Sequence, residues 1–281
     1  MEELNMKKGL TEMVFIIDKS GSMEGLEKDT IGGFNSMLKE QQAVEGEAIV
    51  TTVLFNNRYE LLHDRIDIRA VSPLTEKNYT VVGNTALLDA LGKTIRKIRE
   101  VQEHTAEDYR AEKILFIIIT DGEENASREY SAERIKTRIE HQKQKYGWEF
   151  VFFGANMDAV LEAGKLGISA EYAQNYRADA SGTSIAYTAM SSISTAYRGG
   201  NSSLGGMAID NLKKAVSGAK GATDELVDFV GDIFKATEKN DGKMPNVNDI
   251  ARQVLENELK KLEENSGNEA RINELRDILK Q

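Results

Sequence analysis

The stretch FIIDKSGSM, Phe15 to Met23, closes an apolar run on one carboxylate, Asp18, and follows it with two hydroxyls, Ser20 and Ser22, around Gly21. Oxygen donors suit hard cations such as Mg2+, Mn2+ or Ca2+, and Mg2+ asks for about six oxygens with only one or two carboxylates among them. Gly21 lets the turn fold tightly. Alone, Asp-x-Ser-x-Ser reads equally well as a helix N-cap. Two further segments add to it: IIITDGEEN ends a second apolar run on Asp121, and GNTALLDAL offers Thr85 where a loop enters a helix. In an open α/β sheet, ligands collect outside the carboxyl ends of neighbouring strands whose connections leave to opposite faces. If the runs ending at Asp18 and Asp121 are such neighbours, their acids converge and Thr85 can reach the same crevice.

The elements that must position these residues follow from hydropathy. Continuous apolar runs of strand length alternate with amphipathic segments, the pattern of a mostly parallel sheet covered on both faces. MVFIID is the first strand, and Ile31, Phe34 and Leu38 mark a helix over Thr30 to Gln42. AIVTTVLF and RYELLHDRIDI, separated by Asn56 and Asn57, predict a hairpin that adds one antiparallel edge strand. A helix starting near Thr85 carries Leu88, Leu91, Ile95 and Ile98 on one stripe. KILFIIITD is the central strand, Ala132 to Lys145 a charged helix and WEFVFFGAN a further strand. A short helix over Met157 to Leu166, a weak strand over Ala170 to Tyr176 and a helix over Ser184 to Tyr197 complete the series. The fold class expected is therefore α/β: a doubly wound, mostly parallel, Rossmann-like sheet of six strands with one antiparallel edge strand.

Past Arg198 the composition changes. RGGNSSLGG reads as a Gly/Ser-rich break, so the domain is placed at 1–198, a linker at 199–222 and a helical extension at 223–281. Within the extension, Ile250, Val254, Leu259 and Leu262 can pair with Ile272, Leu275 and Leu279 as an antiparallel helical hairpin.

Asp18, Ser20 and Ser22, then Gly83-x-Thr85, then a strand ending in Thr120-Asp121-Gly122 resemble the von Willebrand factor type A domain, over about residues 8 to 198. The phrases DKSGSM, GNTALLDAL and TDGEEN resemble its bacterial intracellular branch most. The resemblance implies a metal-ion-dependent adhesion site made of Asp18, Ser20, Ser22, Thr85 and Asp121. In such domains the serines, and in one state the threonine, contact Mg2+ directly, and the acids do so directly or through water. Two carboxylates and three neutral hydroxyls would leave the ion electrophilic, with one position for a glutamate or aspartate of a partner. The resemblance further implies a cytoplasmic adaptor or scaffold within a multi-component assembly, some of which include AAA+ ATPases. It also implies a last helix, Ser184 to Tyr197, able to shift with metal coordination.

Composition narrows the alternatives. A formal net charge of −10 argues against a nucleic-acid backbone as partner, and no anionic membrane is implied. The absence of cysteine removes thiolate metal sites and fits a reducing compartment. No secretory leader is readable at the start. The longest apolar stretch, Ile114 to Ile119, is far short of the roughly 20 residues that span a bilayer.

Other chemistry-bearing residues read as structural. Glu123, Glu124 and Asn125 are expected to favour the start of a helix and to solvate their loop. Asp89 is expected to serve the first turns of the Thr85 helix. His63, His104 and His141 share no ligand spacing and are expected at surfaces or helix ends; Trp148 is expected in the core or at its rim. ALGKT, Ala90 to Thr94, is no phosphate loop, because Leu87 stands where that motif needs glycine. The expectation is thus a non-enzymatic, Mg2+-dependent protein-binding module with no catalytic residues. A Mg2+-dependent hydrolase or phosphotransferase with Asp18 or Asp121 as nucleophile or base is the first alternative, and a structural protein self-assembling through its tail the second.

Overall fold

A computed structural model describes residues 7–199. Apart from Gly199, the linker expected at 199–222 and the extension expected at 223–281 lie outside the described residues.

The described residues hold six strands: β1 (Lys7–Asp18), β2 (Ala48–Phe55), β3 (Tyr59–Asp67), β4 (Ala111–Thr120), β5 (Glu149–Gly154) and β6 (Ala173–Asn175). They form one sheet in the order β3-β2-β1-β4-β5-β6. Every pairing is parallel except β2 with the edge strand β3. This is the doubly wound sheet with one antiparallel edge that the sequence predicts.

Among the described residues, five helices cover it: α1 (Glu27–Ala43), α2 (Leu87–His104), α3 (Ala132–Tyr146), α4 (Ala159–Lys165) and α5 (Ala180–Arg198). Alternation along β1 shows why its run is apolar throughout. Met13, Phe15 and Ile17 face the core under α1 and α5, whereas Val14 and Ile16 face the core under α2, α3 and α4. Successive side chains of a strand point to opposite faces, so a strand covered on both sides has no polar phase.

β1 and β4 are neighbours, paired as far as Ile17 and Ile119. The connection leaving β1 forms α1 on one face, and that leaving β4 forms α3 on the other. The two chains therefore part at the carboxyl ends of β1 and β4, which opens a crevice at that point.

Several boundaries differ from expectation: α1 begins at Glu27 rather than Thr30, and α5 at Ala180 rather than Ser184, where Asp179 accepts from Gly182 N. Residues 170–172 form a 3-10 turn, so β6 keeps only three residues. Asp158 accepts a hydrogen bond from Leu161 N and starts α4 at Ala159, two residues later than the hydropathy suggests. At its far end α5 is locked to α1. The Arg198 guanidinium donates to the main-chain oxygens of Gln41, Val44 and Gly46, which lie where α1 ends and its orphan carbonyls need donors. Among the described residues no helix is long and apolar enough to cross a membrane.

Candidate metal centre

Asp18 ends β1 with no exposed surface. Its Oδ1 accepts from Ser20 N at 2.7 Å and its Oδ2 from the Thr120 hydroxyl at 2.5 Å. The Tyr79 hydroxyl donates to its main-chain oxygen at 2.5 Å. Burial pushes the Asp18 carboxyl up to about 6; the Thr120 and Ser20 hydrogen bonds restrain that rise, and Asp121 adds to it. The Asp18–Ser20 contact makes an Asx turn. Helix capping is not its use: the N-cap of α1 is Leu26, which provides no side-chain cap, and Ser20 makes no capping bond to the 3-10 turn Gly21–Met23.

The Asx turn aims the serine hydroxyls into the crevice. Ser20 Oγ lies 3.0 Å from Ser22 Oγ, and the Thr85 hydroxyl donates to Ser20 Oγ at 2.9 Å. Ser20 and Thr85 are buried and Ser22 is exposed, so the cluster opens outward through Ser22. Gly21 N donates to Gly83 O at 2.8 Å and clips the two loops together. Gly83 has a φ of +83°, a conformation side-chain-bearing residues seldom adopt.

Thr85 is held from a third segment. Asn125 Oδ1 accepts from Thr85 N at 3.0 Å, while Thr85 O accepts from Asn125 N at 3.0 Å and Ala126 N at 3.1 Å. Glu124 accepts from Leu88 N in the first turn of α2 and from Ala126 N, Ser127 N and Ser127 Oγ in its own loop. Asp89 accepts from the main-chain nitrogens of Arg128, Glu129 and Tyr130. The loop after β4 is thus stitched to the start of α2. Glu124 serves the start of a helix, as expected, but that helix is α2 from a distant segment, and Asn125 holds Thr85 rather than only solvating its own loop.

Asp121 is buried beside this cluster. Neither of its carboxylate oxygens has a hydrogen-bond partner of acceptable geometry. Burial pushes its carboxyl up, and the neighbouring Ser22 hydroxyl draws it partly back. Next to it, a Cβ on Gly122 would lie 2.6 Å from Ser22 Oγ and 2.9 Å from Thr85 Oγ1, so only glycine leaves the hydroxyls free.

The structure therefore brings together all five residues singled out from the sequence. Four supporting residues were not singled out as such: Thr120, Tyr79, Glu124 and Asn125. Thr120 carried one signal, a polar residue at the end of an otherwise apolar strand. Tyr79 lies in a loop without periodicity and gave none. Elsewhere His63 corrects an expectation: it is buried on β3, 3.2 Å from Ser72 Oγ, rather than at a surface or helix end. Trp148 is buried and stacks on Phe116, as expected.

The donor set fits a hard divalent cation. Three hydroxyls and two carboxylates converge, and two buried carboxylate oxygens stand unpartnered, which buried polar atoms seldom do without a ligand, water or ion. Among the described residues no group of three or more His, Cys, Asp or Glu is placed to hold a metal, so any cation here depends on the hydroxyls.

No protein-family model matches the chain, and no curated protein does. Solved structures do. Proximal thread matrix protein 1 from the mussel byssus is 15% identical with a TM-score of 0.48, over 68% of this chain and 47% of that one. A von Willebrand factor type A protein from Catenulispora acidiphila is 15% identical with a TM-score of 0.44, over 66% and 42%. Manganese-loaded TRAP protein from Plasmodium vivax is 23% identical with a TM-score of 0.41, over 52% and 57%. This chain thus spans less than half the length of the mussel and Catenulispora proteins. Similarity of this extent bears on neither the cation nor the partner of this chain.

Proposed function

We propose that residues 7–199 form a divalent-cation-dependent protein-binding module. Asp18, Ser20, Ser22, Thr85 and Asp121 hold the cation, Mg2+ first, with Mn2+ and Ca2+ as other hard ions that an oxygen site takes. The observation that carries this reading is the meeting of the Ser20, Ser22 and Thr85 hydroxyls, from two distant segments, beside a buried carboxylate with two unpartnered oxygens. The resemblance in motif order supports it.

The chain's residues divide the work. Asp18 is fixed by Thr120 and Ser20 and supplies charge from beneath. Ser22 stands at the exposed mouth, where an incoming group arrives. The bound ion supplies positive charge for a partner's aspartate or glutamate. Asp18 and Asp121 balance the ion's formal charge, and the three hydroxyls, being neutral, leave it electrophilic.

A hydrolytic reading finds less support in these residues. The lysine next to the site, Lys19, is paired with Glu60 at 2.5 Å, and His63 is committed to β3. Membership of a larger assembly, including one built on an AAA+ ATPase, is the extension that the resemblance suggests.

Thermal melts of the full chain in Mg2+ and in EDTA test the cation. A higher midpoint in Mg2+ that Asp121→Ala abolishes is expected; superimposable melts overturn the reading. Affinity capture in Mg2+, with Asp18→Ala protein as the matched bait, tests the partner. Proteins retained equally by both baits would contradict carboxylate capture.

A further inference from the structure

Asp121 is not the only buried polar group left alone at this end of the sheet. The Tyr176 and Tyr187 hydroxyls and Thr183 Oγ1 are also buried without hydrogen-bond partners. Tyr79, in the same core, differs: its hydroxyl is satisfied by Asp18 O.

Sheet register puts these groups near one another. Thr120, next to Asp121, lies opposite Gly154 of β5, and Gly154 lies opposite Asn175 of β6. Tyr176 N donates to Gly154 O at 3.0 Å. Strands β4 and β6 are thus two spacings apart, roughly 10 Å. Tyr176 and Tyr187 share the core under α1 and α5. A Cβ on Gly182 would meet the Arg177 main chain at 2.2 Å, so the start of α5, with Thr183, sits against the residue after Tyr176. The Tyr187 ring is pressed so close to Gly33 of α1 that a Cβ there would lie 2.4 Å from it. The electrostatics agree: burial raises the Tyr176 phenol most, with Asp121, Tyr187 and Asp18 adding to the rise.

Buried hydroxyls and carboxylates that lack protein partners are satisfied by ordered water, each such molecule making about three hydrogen bonds. We infer that Tyr176 is a positioning residue for Asp121, holding its carboxylate through water buried between Tyr176, Tyr187 and Thr183. The tyrosine hydroxyl donates to the water and the water donates to one Asp121 oxygen, which leaves the other for the crevice. Groups that orient a ligand in this way change metal affinity when removed, although they never touch the ion. The inference rests on the cation site proposed above.

Two measurements on the full chain test it. In a metal-free crystal of the wild-type protein, water density within hydrogen-bond distance of both Tyr176 Oη and Asp121 is expected, and its loss in Tyr176→Phe. Well-ordered side chains with no such density overturn the inference. In calorimetry with MgCl2, Tyr176→Phe is expected to weaken binding about tenfold, and Tyr187→Phe to weaken it less. A purely structural Tyr176 would shift only the metal-free melt, and an unchanged Mg2+ affinity in Tyr176→Phe overturns the positioning role. Wild-type protein that binds no Mg2+ sinks the cation reading with it, whereas bridging water in the metal-free crystal would show the buried network to be separately correct.

Discussion

Thr120 donates its hydroxyl to Asp18 Oδ2 at 2.5 Å across the boundary between β1 and β4, onto a carboxylate with no exposed surface. Even with that bond, burial raises the Asp18 carboxyl from 3.8 to about 6. A raised carboxylate means that the native state binds the proton more tightly than the unfolded chain. The contribution of Asp18 to metal-free stability therefore falls as pH rises from about 4 to about 6, by an amount on the order of 2–3 kcal/mol.

Asp18→Asn removes that buried charge. Thr120 can accept from the new amide and turn its own proton to Gly122 O, 3.1 Å away. Without metal, the variant should melt above wild type at pH 7.5 and match it near pH 4. Added Mg2+ should stabilise wild type only. Parallel melting curves across this pH range would show that Asp18 carries no such strain.

Gly122→Ala places a methyl group against Ser22 Oγ and Thr85 Oγ1. The hydroxyls must separate, and the expected result is loss of Mg2+ stabilisation with the far-ultraviolet circular dichroism of the folded chain unchanged. Full Mg2+ stabilisation in this variant would show that the hydroxyl cluster is not the cation site.

Glu124→Ala strips acceptors from Leu88 N, Ala126 N, Ser127 N and Ser127 Oγ. Half-buried donors left unpaired cost about 1–3 kcal/mol, and the loop that holds Thr85 loosens. Hydrogen exchange should rise at Asn125 and Ala126, whose amides bond Thr85 O. Unchanged protection there would contradict this bracing role.

Arg198→Met leaves the Gln41, Val44 and Gly46 carbonyls without the guanidinium. A loss of about 2 kcal/mol is expected, lowering Tm by roughly 4–8 °C for a domain of this size. A change of under 1 °C in a calorimetric scan would show the α1–α5 clamp to be energetically idle.

The strands and the helices between them were legible because burial on both faces leaves continuous apolar runs, as in Ile114 to Ile119, and parallel connections leave helical stripes such as Leu88, Leu91, Ile95 and Ile98. The five residues that the structure brings together could be picked out because each stands where a strand or loop ends. Their scaffold could not. Glu124 accepts from α2, 36 residues away in sequence, and Tyr79 reaches Asp18 from 61 residues away. Such bonds leave no local pattern. The short β6 lies inside the weak strand expected over Ala170 to Tyr176, but its start was not legible: three residues are too few for alternation to show, and the turn before it carries the same residue types.

A crystal soaked in Mn2+ and measured for anomalous scattering reads the cation site most directly. The prediction is one strong peak in contact with Ser20 Oγ and Ser22 Oγ, close to Thr85 and Asp121 and absent from Asp121→Ala crystals. A map without a peak there, or with manganese only elsewhere on the domain, would contradict the account.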